Sequence, residues 1–296
     1  MFQIIQNADN LVLSNGGQTQ ATIGLSQEGG RLQSLAFKGY KIIDDLEHKA
    51  YAQSYAGSIL FPFANRIKDG KYKFQNKTYR LDCNENDRDN AIHGLIYNKI
   101  FELKSVEEFE DHAEAILVYE ETNPPKGFPF PYQIELTYKL SDKKLSLKVD
   151  IKNTGNQVFP FTLGWHPYFC CDDFDTSFLS FNSHKVVIMS RDMIALGVNE
   201  RPVENPFSMK NKKLDDCFVL NGREIEFYTK DYKITLEGTP KSNFFQIYTP
   251  PNENRIALEP MTGISDSFNH KKGLQILKPG DTKTETWTIA LIDKSL

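Results

Sequence analysis

Lys144-Leu145-Ser146-Leu147-Lys148-Val149-Asp150-Ile151-Lys152 decides the fold. Leu145, Leu147, Val149 and Ile151 take every second place, with Ser146, Lys148, Asp150 and Lys152 set around them. Successive side chains of a strand point to opposite faces, so this alternation describes a half-buried β-strand. The turn-forming run Asn153-Thr154-Gly155-Asn156 ends it. The strand before it has the same character: Ile134, Leu136, Tyr138 and Leu140 alternate with Glu135, Thr137 and Lys139. Far downstream, Lys278-Pro279-Gly280-Asp281 predicts a turn, after which Trp287, Ile289 and Leu291 alternate with Thr286, Thr288 and Ala290. Tyr72 and Phe74, then Tyr79 and Leu81, flank Gln75-Asn76-Lys77-Thr78 as the arms of a hairpin would.

Helical periodicity is almost absent, and turn signals recur at short intervals, as in sandwiches and barrels rather than βαβ units. The 21 Phe and 13 Tyr suit strands that face a thick core. Asn123-Pro124-Pro125-Lys126-Gly127-Phe128-Pro129-Phe130-Pro131 interrupts the alternation and reads as a long surface loop, because the strand pattern is the same on both sides. A chain of 296 residues could make two average domains, but large β-sandwiches reach this size as one unit. The expected fold is all-β: a large antiparallel β-sandwich, with residues 1–296 as a single domain.

Composition narrows the partners. Lys plus Arg total 35 against 39 Asp plus Glu, a net charge of −4, and no basic run appears. That balance argues against nucleic acid and against an anionic membrane. Met1 to Asn10 lacks a basic and an apolar signal region, and no apolar run is long enough to span a bilayer. Cys83, Cys170, Cys171 and Cys217 form no Cys-x-x-Cys pair, so four free thiols in a reducing, cytoplasmic compartment are expected. The expected state is a monomer or homodimer.

Function is concentrated around Phe161-Thr162-Leu163-Gly164-Trp165-His166-Pro167-Tyr168-Phe169. An imidazole between bulky apolar residues must find partners for its nitrogens, and burying one unpaired costs about 1–3 kcal/mol. Pro167 fixes the backbone beside it. Asn65-Arg66 follows the apolar run Ser58–Ala64, so Arg66 is either ion-paired inside the protein or lines a cleft. His93 precedes Gly94, which permits close backbone approach. Asp215, between Leu214 and Phe218, is a turn residue or an acceptor on a pocket wall. Gln246, in an aromatic strand, either faces solvent or bonds a ligand hydroxyl. Glu259 is apolar on both sides in Ile256-Ala257-Leu258-Glu259-Pro260-Met261, and burial there raises a carboxyl pKa toward that of a useful base.

Together these segments resemble the aldose 1-epimerase (galactose mutarotase) family. The resemblance runs from Asn65-Arg66-Ile67 through Gly70-x-Tyr72-x-Phe74, Ile92-His93-Gly94, Trp165-His166-Pro167-Tyr168-Phe169, Leu214-Asp215, Gln246-Ile247-Tyr248 and Glu259-Pro260 to Asp266-Ser267-Phe268-Asn269 and Leu277-x-Pro279-Gly280. It implies a β-supersandwich with a sugar cleft on one sheet. It implies Glu259 as catalytic base and His166 as catalytic acid. Arg66, His93, Asp215 and Gln246 would be sugar ligands, with Asn65 beside them. The chain departs from better-known galactose mutarotases in being shorter and in carrying Phe101 where a tryptophan commonly follows the His-Gly pair.

The chemistry explains the residue types. Exchanging anomers requires a proton taken from the anomeric hydroxyl and another given to the ring oxygen, then rotation and reclosure. A carboxylate and an imidazole on opposite sides of the C1–O5 bond would serve, with no cofactor and no metal. His166 is expected protonated while Glu259 is ionised, with Asp215 the neighbour raising the histidine's pKa. Rival readings are a carbohydrate-binding or sensing module without activity, a glycoside hydrolase using Asp215 and Glu259, and a metal site on His93 and His166. Galactose, glucose, a hexose 6-phosphate or a sulfonated sugar would all need the same pair. The charged sugars need cations near C6, and Lys68, Lys71 and Lys73 either supply them or form a solvated face.

Overall fold

The computed structural model describes residues 1–46, 49–239 and 243–292. Lys144–Asn153 is a strand inside an antiparallel sheet, paired with Tyr132–Ser141 on one side and Thr282–Ile292 on the other. The register confirms the alternation. Ile134 faces Ile151, Leu136 faces Val149, Tyr138 faces Leu147 and Leu140 faces Leu145, all buried. Between them Glu135 meets Asp150 and Thr137 meets Lys148 on the other face. Each aliphatic side chain so removed from water stabilises the fold by about 1.5–3 kcal/mol.

Among the described residues this sheet has nine strands, running from Glu102–Glu108 at one edge to Phe207–Ser208 at the other. A second sheet has 13 strands, beginning at Gln3–Gln6 and ending at Ala195–Glu200. Their inner faces share one core that runs from Leu11, Leu13 and Ile23 to Leu136, Leu147 and Ile289. Trp165 of the larger sheet stacks on Trp287 of the smaller, with ring centroids 6.0 Å apart. This is an all-β antiparallel sandwich. Two single-turn helices, Tyr51–Ser54 and Ser267–His270, are the α-helical content of the described residues, and no helix there is long and apolar enough to cross a membrane. The four cysteines are free.

Two local expectations need correction. The hairpin turn is only Gln75-Asn76, both with positive φ, and Lys77 and Thr78 already belong to the returning strand. Two residues in the left-handed region form the tight turn whose twist matches the flanking strands. The Pro-rich piece is more than a surface loop, because Phe128 and Phe130 are buried. Phe128 packs edge-on against Phe61 and Phe159. Prolines keep the segment out of a strand ladder, yet its aromatic rings still gain by leaving water.

Candidate active site

Four adjacent strands of the larger sheet carry most of the site: Tyr168–Cys170, Arg255–Met261, Phe244–Tyr248 and Asp215–Leu220. Across them Glu259 lies opposite Gln246, and Asp215 opposite Tyr248. The period of two puts Glu259, Gln246, Tyr248 and Asp215 on one face, while Leu258, Ile247 and Phe245 enter the core from the other. Asp215 therefore begins a strand rather than a turn, and Gln246 is buried rather than solvent-facing.

His166 directly follows the short strand Gly164–Trp165, which pairs with Ile59–Leu60. Its amide donates to the Ser58 carbonyl at 3.0 Å, its carbonyl accepts from Gly57, and Trp165 Nε1 donates to the Gly57 carbonyl. Asn65 and His93 arrive on a separate two-stranded ribbon in which Arg66 pairs with Ile92. Both take left-handed backbone, φ 59° and 62°, and the His93 amide donates to the Asn65 carbonyl at 2.9 Å. Gly94 follows with φ 79°, and a Cβ there would overlap the Phe61 carbonyl, which is the close approach its glycine permits.

All seven residues singled out from the sequence line one cleft of about 540 Å³, a size suited to a small ligand. The rings of Tyr55, His93, His166 and Tyr168 follow one another along its wall at centroid spacings of 4.8, 5.0 and 5.0 Å. At its centre His166 Nε2 is 3.4 Å from Glu259 Oε1. The two side chains stand side by side, not across a sugar-sized gap as expected. Glu259 Oε2, His166 Nδ1, His93 Nδ1 and Gln246 Oε1 are buried without a hydrogen-bond partner among the described residues. Such groups are costly unless something else satisfies them.

The electrostatics also differ from expectation. Burial pushes Glu259 well above the usual carboxylate range, Asp215's charge adds to it, and Arg66 opposes it. Burial lowers His166 to about 3, against a raising effect of its own backbone hydrogen bond. Desolvation is the leading influence on both groups, and Asp215 acts on Glu259 rather than on His166. Both shifts favour the neutral forms, a protonated carboxyl beside an uncharged imidazole. His93 is lowered as well, by burial first and then by His166 and Arg66.

Arg66 proves to be both of its alternatives, cleft residue and ion pair. Its Nε donates to both Glu85 oxygens at 3.0 and 2.9 Å, Nη2 donates to Glu85 Oε1 at 2.8 Å, and Nη1 to Asn65 Oδ1 at 3.1 Å. Gln246 Nε2 donates to Asp215 Oδ1 at 2.7 Å. Lys68, Lys71 and Lys73 line a different cavity, with Asp266, Asn269 and Lys271, and take no part in this cleft. Sequence reasoning missed Glu85 and Arg88, which sit in the unbroken polar run Asn84–Asn90, where nothing separates a site residue from an ordinary loop residue. It also missed Tyr168 and Tyr248, whose alternation with core residues was the available signal.

The sequence model described as Aldose 1-epimerase matches residues 9–290. The Escherichia coli K12 protein YihR is 28% identical over 269 residues, 85% of this chain and 84% of its own. A galactose mutarotase-like protein from Clostridium acetobutylicum superposes with a TM-score of 0.87 at 19% identity, over 99% of each chain. Galactose 1-epimerase from Lactobacillus acidophilus superposes with a TM-score of 0.78 at 16% identity, over 99% of this chain and 98% of its own.

Proposed function

The chain belongs to the aldose 1-epimerase family, and from that premise we propose that it interconverts the α and β anomers of a hexose, with the whole chain acting as one domain. The observation that supports this most is the contact of Glu259 and His166, 3.4 Å apart in the wall of one cleft. The anomeric oxygen and the ring oxygen hang on the same carbon, so two groups side by side can serve both. One accepts the proton of the anomeric hydroxyl as the C1–O5 bond breaks, and the other protonates O5. Rotation about C1–C2 turns the aldehyde, and the same two transfers in reverse close the ring on its other face.

Glu259 is the acceptor and His166 the donor in this reading. The pair needs one proton, placed on the imidazole. Arg66 already favours the ionised carboxyl, and sugar hydroxyls donating to Glu259 add to that preference. The reaction in this reading requires the bound sugar to move the proton from carboxyl to imidazole. Arg66, His93, Asp215, Gln246 and Asn65 hold the ring hydroxyls, and Arg66 and His93 stabilise charge growing on O5.

Two measurements test the reading. Nuclear magnetic resonance saturation transfer between the anomers of glucose and galactose should show exchange far above the spontaneous rate; spontaneous exchange with every aldose would sink it. The pH profile of kcat/KM gives the second. With ordinary values the singly protonated pair would exist only between 4.5 and 6.5. Because His166 is lowered to about 3, the lower end of that window falls to the imidazole, and its upper end passes to the raised Glu259. The acid limb is expected near 3, whereas an acid limb at 4.5 would mean that Glu259 titrates as an ordinary carboxyl and His166 is not lowered.

A further inference from the structure

We propose that Glu85 confines this cleft to uncharged aldoses by occupying the two guanidinium groups that a phosphorylated or sulfonated sugar would need. The inference rests on the epimerase reading and extends it to substrate class. Arg66 and Arg88 both line the cleft, and among the described residues no lysine does. Two guanidinium forks are what a phosphate or sulfonate group would seek. Glu85 pairs with both, with Arg66 through two nitrogens and with Arg88 through one. One of its oxygens accepts from Arg66 and from Arg88 at 2.8 Å each, and the other accepts from Arg66 Nε and from Asn90 Nδ2 at 2.9 Å each.

The carboxylate is held in place. Its side chain is 11% exposed, and the Glu85 amide donates to the Asn90 carbonyl at 3.0 Å. Burial alone would push the Glu85 carboxyl up, but the hydrogen bonds and charges of its partners outweigh it and hold the group below the ordinary range. It is therefore ionised at neutral pH. Asp87 and Asp215 line the same cleft, so an incoming anion meets carboxylates and already paired guanidinium groups.

What remains on Arg66 suits a neutral sugar. Of five N–H donors, Glu85 takes the Nε hydrogen and one on Nη2, and Asn65 takes one on Nη1. One hydrogen on each terminal nitrogen is left, enough for hydroxyl oxygens. Glu85 is thus a positioning residue that acts through Arg66, and it also sets selectivity.

The test compares wild type with Glu85→Gln and Glu85→Asp. Anomer exchange is followed on glucose, galactose and glucose 6-phosphate, with calorimetric titration of inorganic phosphate alongside. Wild type should favour a free aldose over the 6-phosphate by at least about tenfold in kcat/KM. Glu85→Gln should raise KM for the free aldose with kcat nearly kept, and should shift the selectivity ratio toward the 6-phosphate by about tenfold or more. Glu85→Asp should restore the wild-type preference. Wild type that exchanges glucose 6-phosphate as fast as glucose overturns the proposal without any variant. So does an equal loss on both substrates in Glu85→Gln. Should wild type exchange no aldose at all, the epimerase reading fails alone. Phosphate binding by Glu85→Gln and not by wild type would then still support the charge-exclusion role, and equal binding by both would refute it.

Discussion

Glu259→Gln is expected to slow anomer exchange by about 10²–10⁴-fold, leaving the fold and sugar binding largely intact. The amide keeps the size and neutral charge that burial imposes on the carboxyl, so little strain or desolvation cost is added. It keeps hydrogen-bonding capacity toward the cleft. What it loses is proton transfer: an amide neither takes the anomeric proton nor returns it. The loss should fall on kcat, with KM changed little, because the missing event belongs to the transition state. Polarimetry on a freshly dissolved single anomer, with circular dichroism as a check on folding, measures both. A variant within about threefold of wild type would remove Glu259 from the chemistry.

His166→Asn is expected to lose a similar factor, for the complementary reason. Asparagine can still donate to an oxygen at that depth, but it cannot release a proton to O5. His166 is 4% exposed and its rings contact His93 and Tyr168, so the shorter side chain also loosens the wall, and a modest rise in KM should accompany the fall in kcat. The double variant Glu259→Gln/His166→Asn discriminates further. If the two groups act as one proton-handling unit, removing both should cost little more than removing the worse one. Multiplying losses would mean that each acts separately.

The sheets were legible in the sequence because alternation is a local signal. Leu145, Leu147, Val149 and Ile151 announce their buried face without knowledge of any partner strand, and the register bears it out. The candidate cleft was legible as a set of residue types, since His166, Glu259, Arg66, His93, Asp215, Gln246 and Asn65 all line it. What depended on three-dimensional distance was not legible. Phe128 and Phe130 looked like loop residues because the prolines around them hide a core contact made with distant Phe61 and Phe159. The proton positions of Glu259 and His166 follow from depth, which no local pattern reports. Glu85 is one of three acids in a polar run, and its grip on Arg66 spans 19 residues of sequence.

The stacked indoles at the middle of the sandwich have a spectroscopic consequence. Trp165 and Trp287 are the chain's two tryptophans, both fully buried and each contributed by a different sheet. All intrinsic indole emission therefore arises from one dry place, and its wavelength reports whether the two layers are joined. A red shift on denaturant titration would mark their separation. Since Trp165 is the residue before His166, the same signal can register a sugar entering the cleft, with no label attached.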